Sequence, residues 1–459
     1  MASSLCWLRR DLRLHDHAAL ATALADHDET HVVFVFDTRI LGALPDKHDR
    51  RLTFIVQALQ DLEQELRAHG SSLHVCHGDP VREIPRLARE LGVATVHANR
   101  DYEPYAKNRD EAVERALAAS GVAFRQHKDA VVFEKHEVLN GSGEVYKVFT
   151  PYKNKWIETL ERQGGEVPDH ATDLRKLARR KAAALAPDWH QLISFHLTPP
   201  PLEGGRAAGL RRLKAFATHM DDYGHARDFP SVDGTSNLSP YLRHGCVSVR
   251  EMVRAGRARH TAGAKVWVSE IVWRDFYQVV LDAFPHVVGG SFKPEYDRIK
   301  WQGKDAHFRA WCQGETGFPL VDAAMRCLNQ TGMIHNRLRM VVASFLCKTL
   351  LLDWRRGEAY FAEKLLDFDL AANNGGWQWS SSTGCDAQPY FRIFNPYNQS
   401  AKFDPEGVFI RAWVPELAHL DDREIHSPSP LLAPDYPQPI VSYERMRAEA
   451  LKMYAAAKK

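Results

Sequence analysis

Between Asp367 and Trp379 the chain reads DFDLAANNGGWQW, with two carboxylates, three amides, two glycines and two indoles in thirteen positions. The carboxylates of Asp367 and Asp369 accept hydrogen bonds from hydroxyl or ring N–H groups, and the glycines let backbone approach something closely. Asp367 and Asp369 are too close in sequence to lie one helical turn apart, so a metal or an acid/base pair is conceivable. No histidine within the stretch completes a ligand set. A simple turn between two helices is the alternative, and it has no use for this many polar side chains beside indoles. The residues by themselves indicate a polar pocket against aromatic rings.

Three other stretches carry similar chemistry. From Val266 to Phe284, Trp267, Glu270, Arg274 and Tyr277 recur at helical spacing on one face, while Val268, Ile271, Val272 and Val279 serve another. A surface pair between Glu270 and Arg274 explains the charges and leaves Trp267 and Trp273 over. In IHNRLRMVVASFL, Asn336 and Met340 stand one turn apart with Arg337 beside them, a combination that suits carbonyl-rich bases, phosphates and an aromatic contact. In YGHARDFPSVDGTSNLSPYLRHG, Gly234, Thr235, Ser236 and Ser239 offer donors and hydroxyls to a phosphate just before a helix. Spacing alone favours the simpler reading there: a helix start capped by Ser or Thr, with Pro240 in its first turn.

The elements that position these residues differ along the chain. The first third alternates strand-like runs (SLCWL, HVVFVFD ending at Asp37, SLHVCHG ending at Gly78, TVHANRD ending at Asp101, VAFRQ) with amphipathic stretches such as Arg51 to His69 and Ala106 to Ala119. That order predicts a doubly wound parallel sheet whose ligands sit near Arg9, Asp37 or Asp101, at the carboxyl ends of the strands. Neither G-x-G-x-x-G nor G-x-x-x-x-G-K-[ST] is present. Signals weaken from about Val131 to Gly205, through GSG, the basic run RKLARRKAAA and LTPPPLEGG, which predicts a linker. Beyond Arg206 the pattern is almost wholly helical, and eight of the eleven tryptophans fall there. The fold class is therefore α/β plus all-α, in three parts: 1–133, a linker at 134–205, and 206–459.

Sixty Lys plus Arg against fifty-eight Asp plus Glu leave +2, so a polyanion must be met by a local basic surface. The seven scattered cysteines form no C-x-x-C pair and predict reduced thiols rather than zinc or disulfides. Charge appears almost at once at the amino terminus, and no apolar run is long enough to span a bilayer, which predicts a cytoplasmic protein without export signal or membrane segment.

WLRRDLRLHDHAAL, YKVFTPYKNKW, RDFPSVDGTSNLSPYL, SEIVWRDFY, TGMIHNRLRMVVASFL and DLAANNGGWQWSSSTGCDAQPYFRIFNPYNQS, in this order over essentially the whole chain, resemble the DNA photolyase and cryptochrome family. The resemblance implies an α/β antenna domain followed by a helical domain that holds FAD, active as FADH⁻, in a U-shape. It assigns to the cofactor Tyr223, Thr235, Ser236, Asn237, Leu238, Ser239, Trp267, Asp367, Phe368 and Asp369, with Arg339 paired to Asp367 and Asn373 facing flavin N5. The implied substrate is a cyclobutane pyrimidine dimer flipped from DNA, contacted by Arg227, Glu270, Trp273, Arg274, Tyr277, Asn336, Arg337, Met340, Trp379 and Gln399. Photolyases are a standard example of base flipping. Glu270, Asn373 and Met340 are the implied catalytic residues, and Trp377, Trp354 and Trp301 match an indole chain that re-reduces the flavin.

Relatives that repair (6-4) photoproducts carry paired active-site histidines where this chain has Asn336, so the resemblance implies cyclobutane dimers. Met333 replaces an aromatic residue of many relatives. Tyr105, Ala106, Val287 and Val288 replace polar contacts of folate-using members, so an 8-hydroxy-deazaflavin or another flavin is favoured over methenyl-folate as second chromophore. The expected partner is damaged DNA and the expected state a monomer, nucleoid-associated in a bacterium. A cryptochrome-type photoreceptor signalling to protein partners is the alternative, and a light-independent flavoprotein or nucleic-acid binder a third reading.

Overall fold

A computed structural model of the protein describes residues 3–180 and 192–457. Near-continuous apolar runs, as needed by strands covered on both faces, form β1 (Ser3–Leu8) and β2 (Glu29–Asp37). With β3 (His74–Gly78), β4 (Thr95–Asn99) and β5 (Ala123–His127) they make one parallel sheet in the order β3-β2-β1-β4-β5. The strand order reverses between β1 and β4, and at such a point the carboxyl ends of the strands open a crevice. Leu5, Trp7, Val33, Val96 and Ala98 of the sheet pack with Ile84, Leu87, Val113 and Leu117 of the Pro80–Leu91 and Pro104–Ala118 helices. Strand β4 ends at Asn99, two residues before the expected Asp101.

By packing, the chain divides into two units that cut across the domains expected from sequence. The first comprises Met1–Val145, Tyr152–Asp221 and Ser236–Asp282, and the second Tyr146–Pro151, Asp222–Thr235 and Ala283–Lys459. Helices Arg206–Ala217, Val249–Arg257 and Ala262–Ala283 thus belong with the sheet. Buried charge is one reason. Arg250 donates to Asp16 (2.7 Å) and to Asp129 (2.7 Å), and Arg13 donates to Asp129 (2.6 Å). All four side chains are buried. Such pairs hold only when each charge keeps its partner.

The expected linker is not free of structure. Phe149–Arg162 is a helix, whose Trp156 donates from Nε1 to Asp275 (3.2 Å). The basic run is described only as far as Arg180, and Lys181 to Ala184 lie outside the described residues.

In the second unit, helices Pro319–Thr331, Asn336–Lys348, Trp354–Lys364 and Leu370–Ser380 share one apolar core containing Leu328, Leu338, Val342, Phe345, Trp354 and Trp377. Of the helical pattern beyond Arg206, the stretch IHNRLRMVVASFL forms the helix Asn336–Lys348. Gly332, at φ +73°, ends the preceding helix in the left-handed region that glycine tolerates, and His335 caps the next.

Candidate functional site

The turn considered for DFDLAANNGGWQW is a helix, Leu370–Ser380, with Asp369 as its N-cap accepting from the Ala372 amide (3.1 Å). Two adjacent glycines in a helix cost about 1 kcal/mol each relative to alanine, so something other than helicity retains them. A Cβ at Gly376 would meet nothing within 4 Å, so the protein itself makes no close approach there. Ala372 and Gly376 are exposed and Trp379 is half-buried, which leaves one face of the helix thinly covered beside an indole.

The opposite face is fixed. Asn373 donates from Nδ2 to the Glu358 carbonyl (3.1 Å). A carbonyl only accepts, so the orientation of this amide is settled and Oδ1 remains as the outward acceptor. Asn374 donates to the Glu358 carboxylate (3.0 Å) and the Val287 carbonyl (2.9 Å), and it accepts from Gln378 (3.1 Å). Burial pushes the Glu358 carboxyl up to about 7, against the Asn374 hydrogen bond and the nearby Arg355 charge.

Arg339 places Nη2 on both oxygens of Asp367 (3.0 and 2.8 Å) and Nε on the Ile334 carbonyl (3.1 Å), a buried-edge pairing that holds the loop before the helix. Burial drives His335 down to about 4, with Arg337 acting in the same direction. The ring is therefore neutral near pH 7, and its Nδ1 accepts the Arg337 amide (3.2 Å) to start the Asn336–Lys348 helix. The Arg337 guanidinium pairs with Asp228 (2.5 Å) and lies 4.2 Å from the Phe403 ring centroid, while Asn336 is exposed and Met340 half-buried. Arg227 stands 5.3 Å from the Tyr223 ring centroid. Gln399 keeps a buried Oε1 without a protein partner.

Trp354 and Trp377 lie in one core cluster, and half-buried Trp301 packs against it. Gly357 makes this possible, because a Cβ there would overlap the Trp377 ring. The ring neighbours of Trp377 are Phe361 (5.1 Å) and Trp311 (6.0 Å), and Trp301 stands edge-on to Tyr454 (6.1 Å).

Part of the expected site falls in the first unit. Trp267 is buried against Phe216, Trp273 lies 5.4 Å from Tyr277, and Arg274 donates to the Ala130 carbonyl. Glu270 occupies the same Ala262–Ala283 helix, half-buried. Pro240 sits in the first turn of the short Ser239–Arg243 helix as expected, but the N-cap is Leu238 and no side chain caps it. The Ser or Thr cap favoured from spacing is therefore not formed. Preceding it, Asn237 adopts φ +51° and Arg212 donates to the Ser236 carbonyl (3.0 Å). In the second unit, the Asn373 Oδ1 acceptor and the carboxylate cap at Asp369 fit a flavin dinucleotide.

At the carboxyl ends of β1 and β4 there is a small recess lined by Arg9, Arg10, Asn99, Asp101, Tyr102 and Gln278 among others. Arg9 and Asp101 of the expected ligand region line it, whereas Asp37 accepts from Tyr105 instead (2.7 Å). Sequence reasoning passed over Glu358, Trp311 and Tyr454. Only the spacing Trp354-x-x-x-Glu358, one turn apart, hinted at the first.

The family model described as DNA photolyase matches residues 4–172, and the FAD binding domain of DNA photolyase matches residues 267–456. The deoxyribodipyrimidine photo-lyase of Escherichia coli (strain K12) is 39% identical over 100% of both chains. A solved archaeal photolyase from Sulfolobus tokodaii with two FAD molecules is 35% identical at TM-score 0.85, covering 99% of this chain and 100% of that one. A cryptochrome from Synechocystis sp. PCC6803 is 28% identical at TM-score 0.88, covering 99% of each chain. With helical and α/β parts both matched and the likeness running end to end, the chain belongs to the DNA photolyase family.

Proposed function

We propose that the protein is a deoxyribodipyrimidine photo-lyase that splits cyclobutane pyrimidine dimers in DNA under blue light, using FAD. The observation that carries this is the full-length likeness to a curated enzyme of that name at 39% identity. When bound in its reduced form, FAD supplies the light-driven electron that opens the cyclobutane ring. The rest falls to this chain's side chains. Tyr223, the Thr235–Ser239 run, Trp267, Arg339 and Asp367 to Asp369 hold the cofactor, and Asn373 offers its Oδ1 to N5–H. Trp273 and Trp379 stack on the extruded pyrimidines, and Glu270 hydrogen-bonds the dimer where charge develops. Asn336, Met340, Gln399, Arg274, Tyr277, Arg227 and Arg337 complete the lesion and DNA contacts, and Trp377, Trp354 and Trp301 return electrons to the cofactor.

As second chromophore we favour an 8-hydroxy-deazaflavin or a second flavin over methenyl-folate, because Tyr105, Ala106, Val287 and Val288 stand where folate-using relatives carry polar contacts. An absorption spectrum of purified protein identifies it. We further propose a monomer that acts in the cytoplasm, on nucleoid DNA if the source is a bacterium. Among the described residues no helix is long and apolar enough to cross a membrane.

The decisive assay gives reduced, FAD-loaded protein, thymine-dimer DNA and blue light, and the reading predicts loss of the dimers. Unchanged dimers would sink it. The higher TM-score to a cryptochrome supports signalling as the second reading, and unchanged dimers with intact flavin photochemistry would favour it.

A further inference from the structure

We propose that Glu358 is a positioning residue for the cofactor face of the Leu370–Ser380 helix, and that its carboxylate takes up a proton when the flavin is reduced. The inference rests on the placement of Asn373 against flavin N5 and extends it to a residue that the family's motifs left unassigned.

The geometry gives Glu358 two grips on the helix. Its main-chain carbonyl holds Asn373 Nδ2 (3.1 Å) and so decides which atom of that amide faces outward. Its side-chain Oε1 holds Asn374 Nδ2 (3.0 Å). Asn374 has nothing left to give, since its Nδ2 also reaches Val287 and its Oδ1 accepts from Gln378. Gln378 is itself locked, with Nε2 on the Val287 and Gly290 carbonyls (3.0 and 3.1 Å) and Oε1 accepting from the Phe292 amide (2.8 Å). The chain of amides therefore ends on a carboxylate, whose charge is the one quantity in it that can change.

The surroundings favour that change. Burial raises this carboxyl to about 7, and the nearby charges are Arg355, which lowers it, and Asp353, which raises it. Arg355 is itself shared with Asp297 and Asp353. The facing Leu370–Ser380 helix presents amides and no titratable side chain. On the Asn336–Lys348 helix, Arg337 is taken by Asp228, Arg339 by Asp367, and Lys348 donates to the Arg392 carbonyl (3.3 Å). The loop supplying the Val287 carbonyl carries His286, whose ring lies 6.1 Å from Phe292. A negative charge added on the Asn373 side thus acts on a carboxylate with few competing partners.

Dithionite reduction of the holoenzyme gives the balance. Two electrons come from dithionite, one proton from water goes to flavin N5, and one net negative charge stays on the ring. A second proton from water converts the Glu358 carboxylate to the acid. Two protons per two electrons are then taken up wherever the carboxylate of the oxidised holoenzyme is ionised.

The test is a potentiometric titration of FAD-loaded protein from about pH 6 to about pH 9, with infrared difference spectra on reduction. At the alkaline end of this range the midpoint potential should fall with pH about twice as steeply in the wild type as in Glu358→Gln, which keeps an acceptor for Asn374 but cannot ionise, and the two slopes should converge at the acid end. A protonated-carboxyl C=O band should appear on reduction of the wild type and be missing from the variant. Equal slopes, or no such band in the wild type, would overturn the proposal. If Glu358→Gln does not fold, the wild-type infrared band decides alone. Asn373→Ala separates the two readings: an unmoved potential refutes the N5 placement, whereas a moved one with equal slopes for Glu358 and its variant refutes only the role of Glu358.

Discussion

Around Asp129 in the first unit, buried charges face one another: Arg13 and Arg250 share its carboxylate, and Asp16 takes Arg250 and Arg254. Around Asn374 in the second unit, the polar groups are amides that end on one carboxylate, Glu358, and the Asn373 Oδ1 accepts nothing from the protein among the described residues. The first arrangement satisfies its own members and so stabilises a fold. The second leaves an acceptor over and is suited to a ligand. A closed network and an open one can be told apart by counting which donors and acceptors are already taken.

The comparison breaks most visibly at the closed network. Asp129→Ala strands two buried guanidinium groups and should cost about 3–5 kcal/mol, read from urea unfolding, with loss of expression as the extreme outcome. The same network predicts acid sensitivity. Burial pushes Asp16 and Asp129 upward, yet Arg250 beside Asp16, and Arg13 with Arg250 beside Asp129, hold both below the ordinary 3.8. Their folded values being depressed, their stabilisation is complete above about pH 4 and is lost as pH falls further. Unfolding midpoints measured across that range should decline, and decline less in a variant lacking the pair.

Smaller effects sharpen the open side. Gly357→Ala drives a methyl into the Trp377 ring and should cost about 1–3 kcal/mol, together with a changed fluorescence of the buried indole. Trp379→Ala should weaken binding of dimer-containing DNA by about 1–3 kcal/mol without altering flavin content, since this half-buried indole is not among the proposed cofactor contacts. Asp369→Ala removes the cap on the Ala372 amide and should cost about 1 kcal/mol of stability. Because Asp369 is also a proposed cofactor contact, FAD retention on gel filtration should fall in that variant.

Much of the sheet was legible in the chain. Runs such as HVVFVFD are apolar at successive positions, which suits a strand buried on both faces and little else of that length, and all five strand ends lie within two residues of expectation. The Leu370–Ser380 helix was not legible, because Asn-Asn-Gly-Gly has poor helix propensity and only packing against Gly357 and capping by Asp369 override it. The Phe149–Arg162 helix was missed for a related reason, since Thr150-Pro151 in its first turn reads locally as a break.

Residue types and motif order sufficed by themselves for the α/β-then-helical plan and for the family, since side-chain period and motif spacing are local properties. They also pointed to the Asp367–Trp379 stretch as a polar pocket beside indoles. Tertiary structure alone decided which atom of Asn373 faces outward, that Asn374 ends on Glu358, and that helices after Arg206 join the sheet's packing unit. Those outcomes depend on partners distant in the chain: the carbonyl that orients Asn373 lies fifteen residues before it, and the aspartate that anchors Arg250 lies 234. Hydrogen-bond polarity and charge pairing are settled only when such groups meet.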